Sequence, residues 1–385
     1  MFHFSGELSV SKSWMNRALI LQSFDFQLQI RGNSLADDVV CLQKALTDFK
    51  QGQKLLFAGL GGTTFRFLAF RVSRMPGRYE IQADPQLLKR PQKEISNILS
   101  QLGVVTSWTD NSLIIDSKGW IRPSQPLQIS TEESSQFLSA FALSCVDLEF
   151  PIEIADLPTQ FKSQSYFKMT QQLLEKCGVQ WGLARQKITP QLLIGEADVS
   201  SAVSLIAAAV LKGRAHILNW PRVTDQPDVQ ILNFLQSMQI QYCQDDQGLF
   251  VEQQNSFHGI KADISDCPDV FPVLSVLCAF AKGNSTLYNA PHLKLKESNR
   301  IEKTVELLSR CGFSCQALED GISITGQPDS TYKAKDLIHF DPAHDHRMAM
   351  AAAILKLKGF PLIIHDAHVI NKSYPQFYQH IGVQP

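Results

Sequence analysis

The segment QLLEKCGVQ, at residues 172–180, has a form that recurs along the chain, and this recurrence indicates the architecture. Its apolar residues favour a short amphipathic helix, Gly178 suits the left-handed position that ends a helix, and a β-prone residue follows. Five further segments repeat or vary this form: NILSQLGVV (97–105), ELLSRCGFS (306–314), FYQHIGVQ (377–384), ILNFLQSMQIQ (231–241), which lacks the glycine, and LQKALTDF (42–49), a weaker first copy. Six such units predict repeated βαβαβ modules and an α/β fold.

A second and more apolar helix is predicted upstream of each unit. These helices begin near SKSWMNRALI, GGTTFRFLAF, SSQFLSAFAL, DVSSAVSLIAAAVL, DVFPVLSVLCAFA and DHRMAMAAAIL. Several are apolar nearly all round, so we expect them to be buried between layers of sheet and helix. Residues of the N-cap type mark their starts: Ser13, Gly62, Ser134 or Ser135, Asp198, Asp269 and Asp345. Basic side chains beside several starts predict anion sites, because helix N-termini bind anions.

Composition places the chain among ordinary globular proteins. Its 385 residues, 44% hydrophobic and 19% charged, predict two domains. The 36 basic residues nearly balance the 37 acidic ones, so overall charge gives no case for nucleic acid or a membrane surface as partner. The eight cysteines form no CxxC pair, and no targeting segment or membrane span stands out. We therefore expect a cytoplasmic protein with reduced cysteines, most of them in the core.

The segment SKSWMNR (11–17) has the composition of a cradle for phosphate or carboxylate. If Ser13 opens the helix, Arg17 lies one turn further along the same face. Lys12 then precedes the helix and points at its positive end. A solvated helix start is the alternative interpretation.

A second candidate anion site lies in GLGGTTFR (59–66), where Gly62 lets the backbone approach a ligand closely. Arg90, in LKRPQ (88–92), is either a further cation of this site or ordinary surface charge. Each of these two signals is weak when taken alone.

The C-terminal half adds more cations and two acids at segment starts: Lys296, Arg300, Arg347, Lys372, Asp269 and Glu297. Such a set suits substrates that carry several phosphate and carboxylate groups, with the two acids left for proton transfer. The HxH spacing within HDHRMAM (344–350) invites a metal ion. No further His or Cys stands at ligand spacing, so we expect no metal site.

These motifs occur in one order that resembles a known family. Along the chain they read SKSWMNRAL, GGTTFR, KRP, SSQFLSA, SQSY, PDVF, KLKESNR and DHRMAM. They are similar to motifs of the enolpyruvyl transferases, specifically of the 5-enolpyruvylshikimate-3-phosphate synthase family, which include SKSxxNRAL, SSQFLTA, RVKETDR and DHRMAM. The resemblance runs nearly end to end, and the order makes it specific where each motif alone is not.

The resemblance implies an inside-out α/β barrel of two domains, each built of three βαβαββ units, with a cleft between the domains that closes on substrate. The N-terminal domain is expected at 11–196, and the C-terminal domain at 1–10 together with 197–385. The resemblance also implies the reaction: phosphoenolpyruvate and shikimate 3-phosphate give 5-enolpyruvylshikimate 3-phosphate and phosphate. No metal or organic cofactor is implied, and we expect a monomer.

The family's functional residues carry over by motif. The resemblance implies that shikimate 3-phosphate is held by Lys12, Ser13, Arg17, Ser134, Ser135, Gln136, Ser163, Tyr166, Asp269, His292 and Lys296. It implies that phosphoenolpyruvate is held by Lys12, Gly62, Arg90, Arg300, Arg347 and Lys372. Asp269 would act in proton transfer at the attacking 5-hydroxyl and Glu297 would protonate the methylene carbon, with Lys12 as a further catalytic cation.

The sequence departs from the family pattern at Leu60, Phe67, His292 and Asn299, and lacks the usual Pro-Gly before Ser-Lys-Ser. Phe67 replaces a helix proline, so we expect glyphosate to inhibit less strongly than in enzymes with the proline. Two alternatives are a related enolpyruvyl transferase and a non-catalytic ligand-binding relative. The transferase that acts on UDP-N-acetylglucosamine uses a loop cysteine, which GRYEIQADPQLLKRPQ (77–92) lacks. Loss of the acids or of Lys12 would indicate a non-catalytic relative, and all are present.

Overall fold

The chain crosses twice between two structural units in the computed structural model, which describes residues 1–189, 191–329 and 336–385. Val10–Gly195 form one unit, here called the inserted unit. Met1–Ser9 and Glu196–Pro385 form the other, here called the terminal unit. Both units contain helices and sheets, so the fold is α/β.

The helices are α1 (Lys12–Gln22), α2 (Asp37–Lys50), α3 (Gly62–Ser73), α4 (Pro85–Leu88), α5 (Lys93–Gln101), α6 (Gln136–Ser144), α7 (Gln164–Lys176), α8 (Val199–Lys212), α9 (Ile231–Ser237), α10 (Phe271–Ala279), α11 (Arg300–Arg310), α12 (His346–Leu357) and α13 (Phe377–Ile381). Short 3-10 helices cover Pro227–Gln230, Pro291–Leu295 and Ala367–Lys372. The strands are β1 (Phe2–Gly6), β2 (Gln29–Arg31), β3 (Leu55–Phe57), β4 (Gly77–Gln82), β5 (Val105–Trp108), β6 (Ser112–Ser117), β7 (Leu192–Ile194), β8 (Gly213–Ile217), β9 (Tyr242–Asp245), β10 (Gly248–Glu252), β11 (Lys261–Asp263), β12 (Asn284–Tyr288), β13 (Ser314–Leu318), β14 (Gly321–Thr325), β15 (Ile338–Phe340) and β16 (Leu362–Ile364).

Three four-stranded sheets repeat one topology. Their orders are β3-β4-β6-β5 in the inserted unit, and β1-β8-β10-β9 and β11-β12-β14-β13 in the terminal unit. In each, the first pair is parallel and the remaining pairs are antiparallel. A parallel pair requires a crossover connection, whereas neighbouring antiparallel strands can be joined by a hairpin. Two-stranded parallel sheets β2-β7 and β15-β16 complete the described sheet structure.

The six apolar helices predicted from the sequence are buried as expected. In the inserted unit α1, α3 and α6 pack against one another, and in the terminal unit α8, α10 and α12 do the same. Every residue from Ser201 to Leu211 in α8 is buried, as is every residue of α10. Runs of alanine at 207–209 in α8 and at 351–353 in α12 are fully buried. Such small side chains let packed helices approach each other closely, so the core of the terminal unit forms around these three helices.

The glycines of the repeated segment take the conformation expected of them. Gly103, Gly178, Gly312 and Gly382 follow α5, α7, α11 and α13 with φ between +67° and +84°. The copy without a glycine places Gln239 in the same position, at φ +60°. A residue with a Cβ costs about 1–2 kcal/mol there. The buried residues on either side of Gln239 hold it in this conformation.

The cysteines are all free, and Cys145, Cys177, Cys267, Cys278 and Cys311 are buried. Cys243 is exposed, and Cys41 and Cys315 are half-buried, so the expectation of core thiols holds for five of the eight cysteines. Among the described residues, no helix is long and apolar enough to cross a membrane.

Candidate active site

Helix α1 begins two residues earlier than predicted. Its N-cap is Ser11, whose hydroxyl accepts from the backbone N–H of Trp14 at 3.5 Å, so the prediction that Ser13 opens the helix is wrong. Lys12 therefore lies inside the first turn rather than before it. Its ammonium donates to a carboxylate oxygen of Asp38 at 3.0 Å, an ion pair that is largely buried. Asp38 holds Lys12 in position and offsets part of its charge.

Arg17 ties the start of α1 to α7. Its guanidinium donates to the Ser13 carbonyl at 2.7 Å, to the Tyr166 carbonyl at 2.9 Å and to the Thr170 hydroxyl at 2.7 Å. Burial lowers the pKa of Arg17 to about 10, and Tyr166 opposes this shift. Arg17 is therefore still a cation at neutral pH, and these hydrogen bonds hold it beside Ser13 and Tyr166.

Arg66 organises the segment around α6. It donates to the side chains of Gln92 at 3.0 Å, Gln136 at 2.8 Å and Ser134 at 3.3 Å. It also donates to the Pro91 carbonyl at 3.0 Å. Two of the predicted substrate residues, Ser134 and Gln136, are thus oriented by one buried arginine from α3.

Gly62 and Arg90 lie together at the start of α3, whose N-cap is Gly61 rather than Gly62 as predicted. A Cβ built on Gly62 would lie only 3.1 Å from Nη1 of Arg90. The missing side chain therefore lets the guanidinium lie directly over the helix N-terminus. A cation close to exposed backbone N–H groups is a suitable place for an anionic group.

The terminal unit contains a buried network centred on Arg300. This guanidinium donates to Asp345 through Nε at 2.8 Å, to Asp269 at 2.7 Å and to Glu297 at 3.3 Å. It donates further to the Pro268 carbonyl at 3.1 Å. Its donors are engaged by protein acceptors, so a substrate group would have to replace one of them.

Arg347 and Lys372 extend this network. Arg347 lies 3.5 Å from Asp269, and Lys372 donates to Glu297 at 2.6 Å. The three cations face the carboxylates of Asp269, Glu297 and Asp345, and most of these side chains are shielded from water. Inside a protein such pairs are strong, because little solvent screens them.

The charges of the network set the protonation of Asp269. Burial by itself raises the pKa of Asp269, but Arg300, Arg347 and Lys296 together hold it well below the usual range. Burial likewise opposes the charge of Arg300, yet the three carboxylates of the network raise its pKa well above the ordinary value. Asp269 is therefore ionised at neutral pH and can accept a proton.

Other predicted site residues lie at the ends of elements of the two units. Ser135 is the buried N-cap of α6, and Ser163 is the N-cap of α7 in a left-handed conformation at φ +59°. His292 is buried in the 3-10 helix Pro291–Leu295, and Lys296 follows that helix directly. In the part of the chain that the structure describes, no cluster of three or more His, Cys, Asp or Glu side chains can hold a metal.

Helix α10 starts differently from the prediction. Its N-cap is Val270 rather than Asp269. The carboxylate of Asp269 is engaged by Arg300 and Arg347 instead. This acid is therefore held by side chains of the network and not by the helix that follows it.

Two acids have roles that the sequence does not indicate. Asp345 caps α12 as expected, accepting from the backbone N–H of Arg347 at 2.9 Å, but it is also the fully buried partner of Arg300. Asp38, the partner of Lys12, lies in no motif of the site. The one available signal is that a buried cation needs a partner, which predicts an acid without giving its position.

A family model described as EPSP synthase (3-phosphoshikimate 1-carboxyvinyltransferase) matches residues 25–381. The chain belongs to the EPSP synthase family. The 3-phosphoshikimate 1-carboxyvinyltransferase of Syntrophobacter fumaroxidans is 30% identical over 411 residues, covering 97% of this chain and 95% of the relative. That of Pyrococcus furiosus is 30% identical over 393 residues, covering 98% and 92%. The family resemblance deduced from the motifs is thereby confirmed.

Solved structures share the fold of this family member. EPSP synthase from Acinetobacter baumannii superposes with a TM-score of 0.72 at 18% identity, over 99% of this chain and 95% of its own. The enolpyruvyl transferase NikO from Streptomyces tendae gives a TM-score of 0.71 at 13% identity, with the same coverage. At these identities the likeness shows the α/β fold alone.

Proposed function

We propose that the protein transfers the enolpyruvyl group of phosphoenolpyruvate to the 5-hydroxyl of shikimate 3-phosphate and releases phosphate. This reaction belongs to the shikimate pathway of aromatic amino acid biosynthesis. Membership of the EPSP synthase family over residues 25–381 carries the proposal. The buried cations and the two carboxylates in the terminal unit support it, since the substrates are polyanions and the reaction moves protons.

The substrate roles follow the motifs. Shikimate 3-phosphate is assigned to Lys12, Ser13, Arg17, Ser134, Ser135, Gln136, Ser163, Tyr166, Asp269, His292 and Lys296. Phosphoenolpyruvate is assigned to Lys12, Gly62, Arg90, Arg300, Arg347 and Lys372. Of these, Arg347 and Lys372 have donors to offer, whereas Arg300 acts mainly by fixing Asp269 and Glu297.

The chemistry needs one base and one acid. Ionised Asp269 accepts the proton of the 5-hydroxyl as its oxygen attacks C2 of phosphoenolpyruvate. Glu297 gives a proton to the methylene carbon, which completes a tetrahedral ketal. In the second step that carbon returns a proton to Glu297, the C2–O bond to phosphate breaks, and the departing phosphate takes up the proton held by Asp269. Fixed cations stabilise the departing phosphate, because they need no reorganisation when its charge develops.

Finer features of the family are proposed for this chain as well. They are the inside-out barrel with three βαβαββ units per domain, with domains at 11–196 and at 1–10 plus 197–385. The enzyme would act as a cytoplasmic monomer on its two small-molecule substrates, without a cofactor, nucleic acid or membrane as partner.

Release of inorganic phosphate from the two purified substrates tests the function. We expect phosphate only when both are present, and stoichiometric with 5-enolpyruvylshikimate 3-phosphate. UDP-N-acetylglucosamine in place of shikimate 3-phosphate is the control for a different acceptor, since NikO shows that this fold occurs in another enolpyruvyl transferase. Release with that acceptor alone, or with neither, would disprove the proposal.

A further inference from the structure

Asp228 is a buried carboxyl group that the proposed reaction does not use. It lies in the 3-10 helix Pro227–Gln230 and is fully shielded from water. One of its oxygens accepts from the hydroxyl of Ser200. The other is buried without a hydrogen-bond partner among the described residues. A buried carboxylate with an oxygen left unpaired is costly, so its position calls for a reason.

The segment that carries Asp228 fixes the first turn of α8. Gln226 accepts from the backbone N–H of Val199 at 3.1 Å and donates to the Ala197 carbonyl at 2.9 Å. Asp198 caps the helix by accepting from the backbone N–H of its first turn at 3.0 Å. The hydrogen bonds of Gln226 therefore fix the segment that carries Asp228 against the start of α8.

Ser200 links Asp228 to the anion-binding arginine of the site. Its hydroxyl donates to Asp228, while its carbonyl accepts from Nη1 of Arg347 at 2.9 Å. The Nη2 atom of Arg347 faces Asp269 at 3.5 Å. The Nε atom of Arg347 is buried and has no acceptor within the described residues. One residue thus contacts both the guanidinium and the unused carboxyl group.

We propose that Asp228 is a positioning residue that acts through Ser200 and Arg347, and that its ionisation sets how tightly Arg347 binds an anion. Ionised Asp228 competes with the anion for the charge of Arg347, and neutral Asp228 does not. The inference rests on the proposed function in one respect: if that function is right, the natural anion bound by Arg347 is phosphoenolpyruvate.

The surroundings place the ionisation of Asp228 in the neutral range. Burial raises the pKa of Asp228 to about 7, and Asp269 and Asp198 add to this. Arg347 and the Ser200 hydroxyl oppose the shift. The carboxyl group therefore changes its charge within the range of pH in which such an enzyme is assayed.

The groups that face Asp228 respond to it in turn. Burial opposes the charge of Arg347, but Asp269, Asp198 and Asp228 together raise its pKa. Burial raises the pKa of the Cys267 thiol, and Asp228 adds to this. The Cys267 thiol therefore stays protonated at every pH near neutrality, so its titration does not contribute to the pH dependence of anion binding.

Linkage then fixes the sign of the pH effect. An anion on Arg347 adds negative charge near Asp228 and favours its protonated form. By reciprocity, protonation of Asp228 strengthens anion binding. Affinity should therefore fall as the pH rises from about 6 to about 8, by at most about tenfold for one group with a pKa near 7.

Two readouts on the full chain test the proposal. The first is KM for phosphoenolpyruvate and kcat, measured from about pH 6 to about pH 8. The second is the Kd of inorganic sulfate by calorimetry, which needs no turnover and uses an ion that does not titrate in this range. The variants are Asp228→Asn, Ser200→Ala and, as matched control, Ser201→Ala, whose buried hydroxyl has no partner among the described residues. Arg347→Met removes the guanidinium, so the part of the sulfate binding that this variant loses is the part that belongs to this site.

For the wild type we expect KM and the sulfate Kd to rise about threefold to tenfold over this range of pH. Asp228→Asn should reduce this rise below about twofold while kcat changes less than KM. Ser200→Ala should move the transition to higher pH, since the lost hydroxyl no longer favours the ionised carboxylate. Ser201→Ala should behave as the wild type.

A wild-type pH profile retained in Asp228→Asn would overturn the proposal, as would an equal effect of Ser201→Ala and Ser200→Ala. If Asp228→Asn does not fold, the comparison between the pH profiles of Ser200→Ala and Ser201→Ala decides the test. The two proposals fail separately. A wild type without turnover, but with the expected sulfate profile, disproves the function and keeps the role of Asp228.

Discussion

Asp345→Asn should strongly destabilise the terminal unit. The fully buried Asp345 accepts from Arg300 at 2.8 Å, from Ser298 at 3.1 Å and from the start of α12. Asparagine still caps a helix, so the substitution removes the charge and spares the cap. Breaking a buried ion pair costs about 3–5 kcal/mol. We expect about 3 kcal/mol, the lower value, because Asp269 and Glu297 still face Arg300.

Scanning calorimetry measures this effect. For a unit of this size, each kcal/mol lowers the Tm by about 2–4 °C, so the terminal unit's transition should fall by about 6–12 °C. The control is Asp246→Asn, which breaks an exposed pair with Arg222 in the same unit and should cost less than about 1 kcal/mol. A fall of less than about 2 °C for Asp345→Asn, or an equal fall for Asp246→Asn, would refute the argument that burial makes the Arg300 pair strong.

Three further predictions concern the site. Glu297→Gln and Asp269→Asn should each lower kcat about a hundredfold or more, with smaller effects on KM; near-normal kcat in both contradicts the assigned roles. Gly62→Ala forces Arg90 to move, because the new Cβ would lie 3.1 Å from its guanidinium. We expect the substitution to raise KM for phosphoenolpyruvate about tenfold. An unchanged KM would mean that the contact between Gly62 and Arg90 does not matter for binding. Phe67→Pro, checked for folding by circular dichroism, should tighten inhibition by glyphosate more than it changes KM; an unchanged inhibition constant argues against the helix-start effect of Phe67.

The repeated helices could be predicted because their signals are local. A glycine after an amphipathic run favours the left-handed conformation that ends a helix, and Gly103, Gly178 and Gly312 all adopt it. Gln239 shows the limit of this argument. It takes the same left-handed conformation without the residue type that signals it, because packing around the end of α9 decides the backbone there.

The chemistry of the site was predictable in type but not in its pairings. Motifs at the starts of segments indicate the cations. Their partners come from distant positions: Asp38 lies 26 residues from Lys12, and Asp345 lies 45 residues from Arg300. Proximity of this kind is a result of the fold and leaves no periodic trace in the sequence. The role of Asp228 was hidden for the same reason.

Because β1 pairs with β8, the first sheet of the terminal unit cannot form until the whole inserted unit has been synthesised. Phe2 lies opposite Gly213, so the first strand leaves the ribosome long before its partner does. At about 5–20 residues per second, β1 waits on the order of 10–40 s. In that interval the whole inserted unit emerges, and its ends are close together, since a Cβ on Gly195 would meet the Val10 side chain. The inserted unit can therefore fold first. Its folding brings Val10 and Gly195 together, and with them the chain segments that lead to β1 and β8.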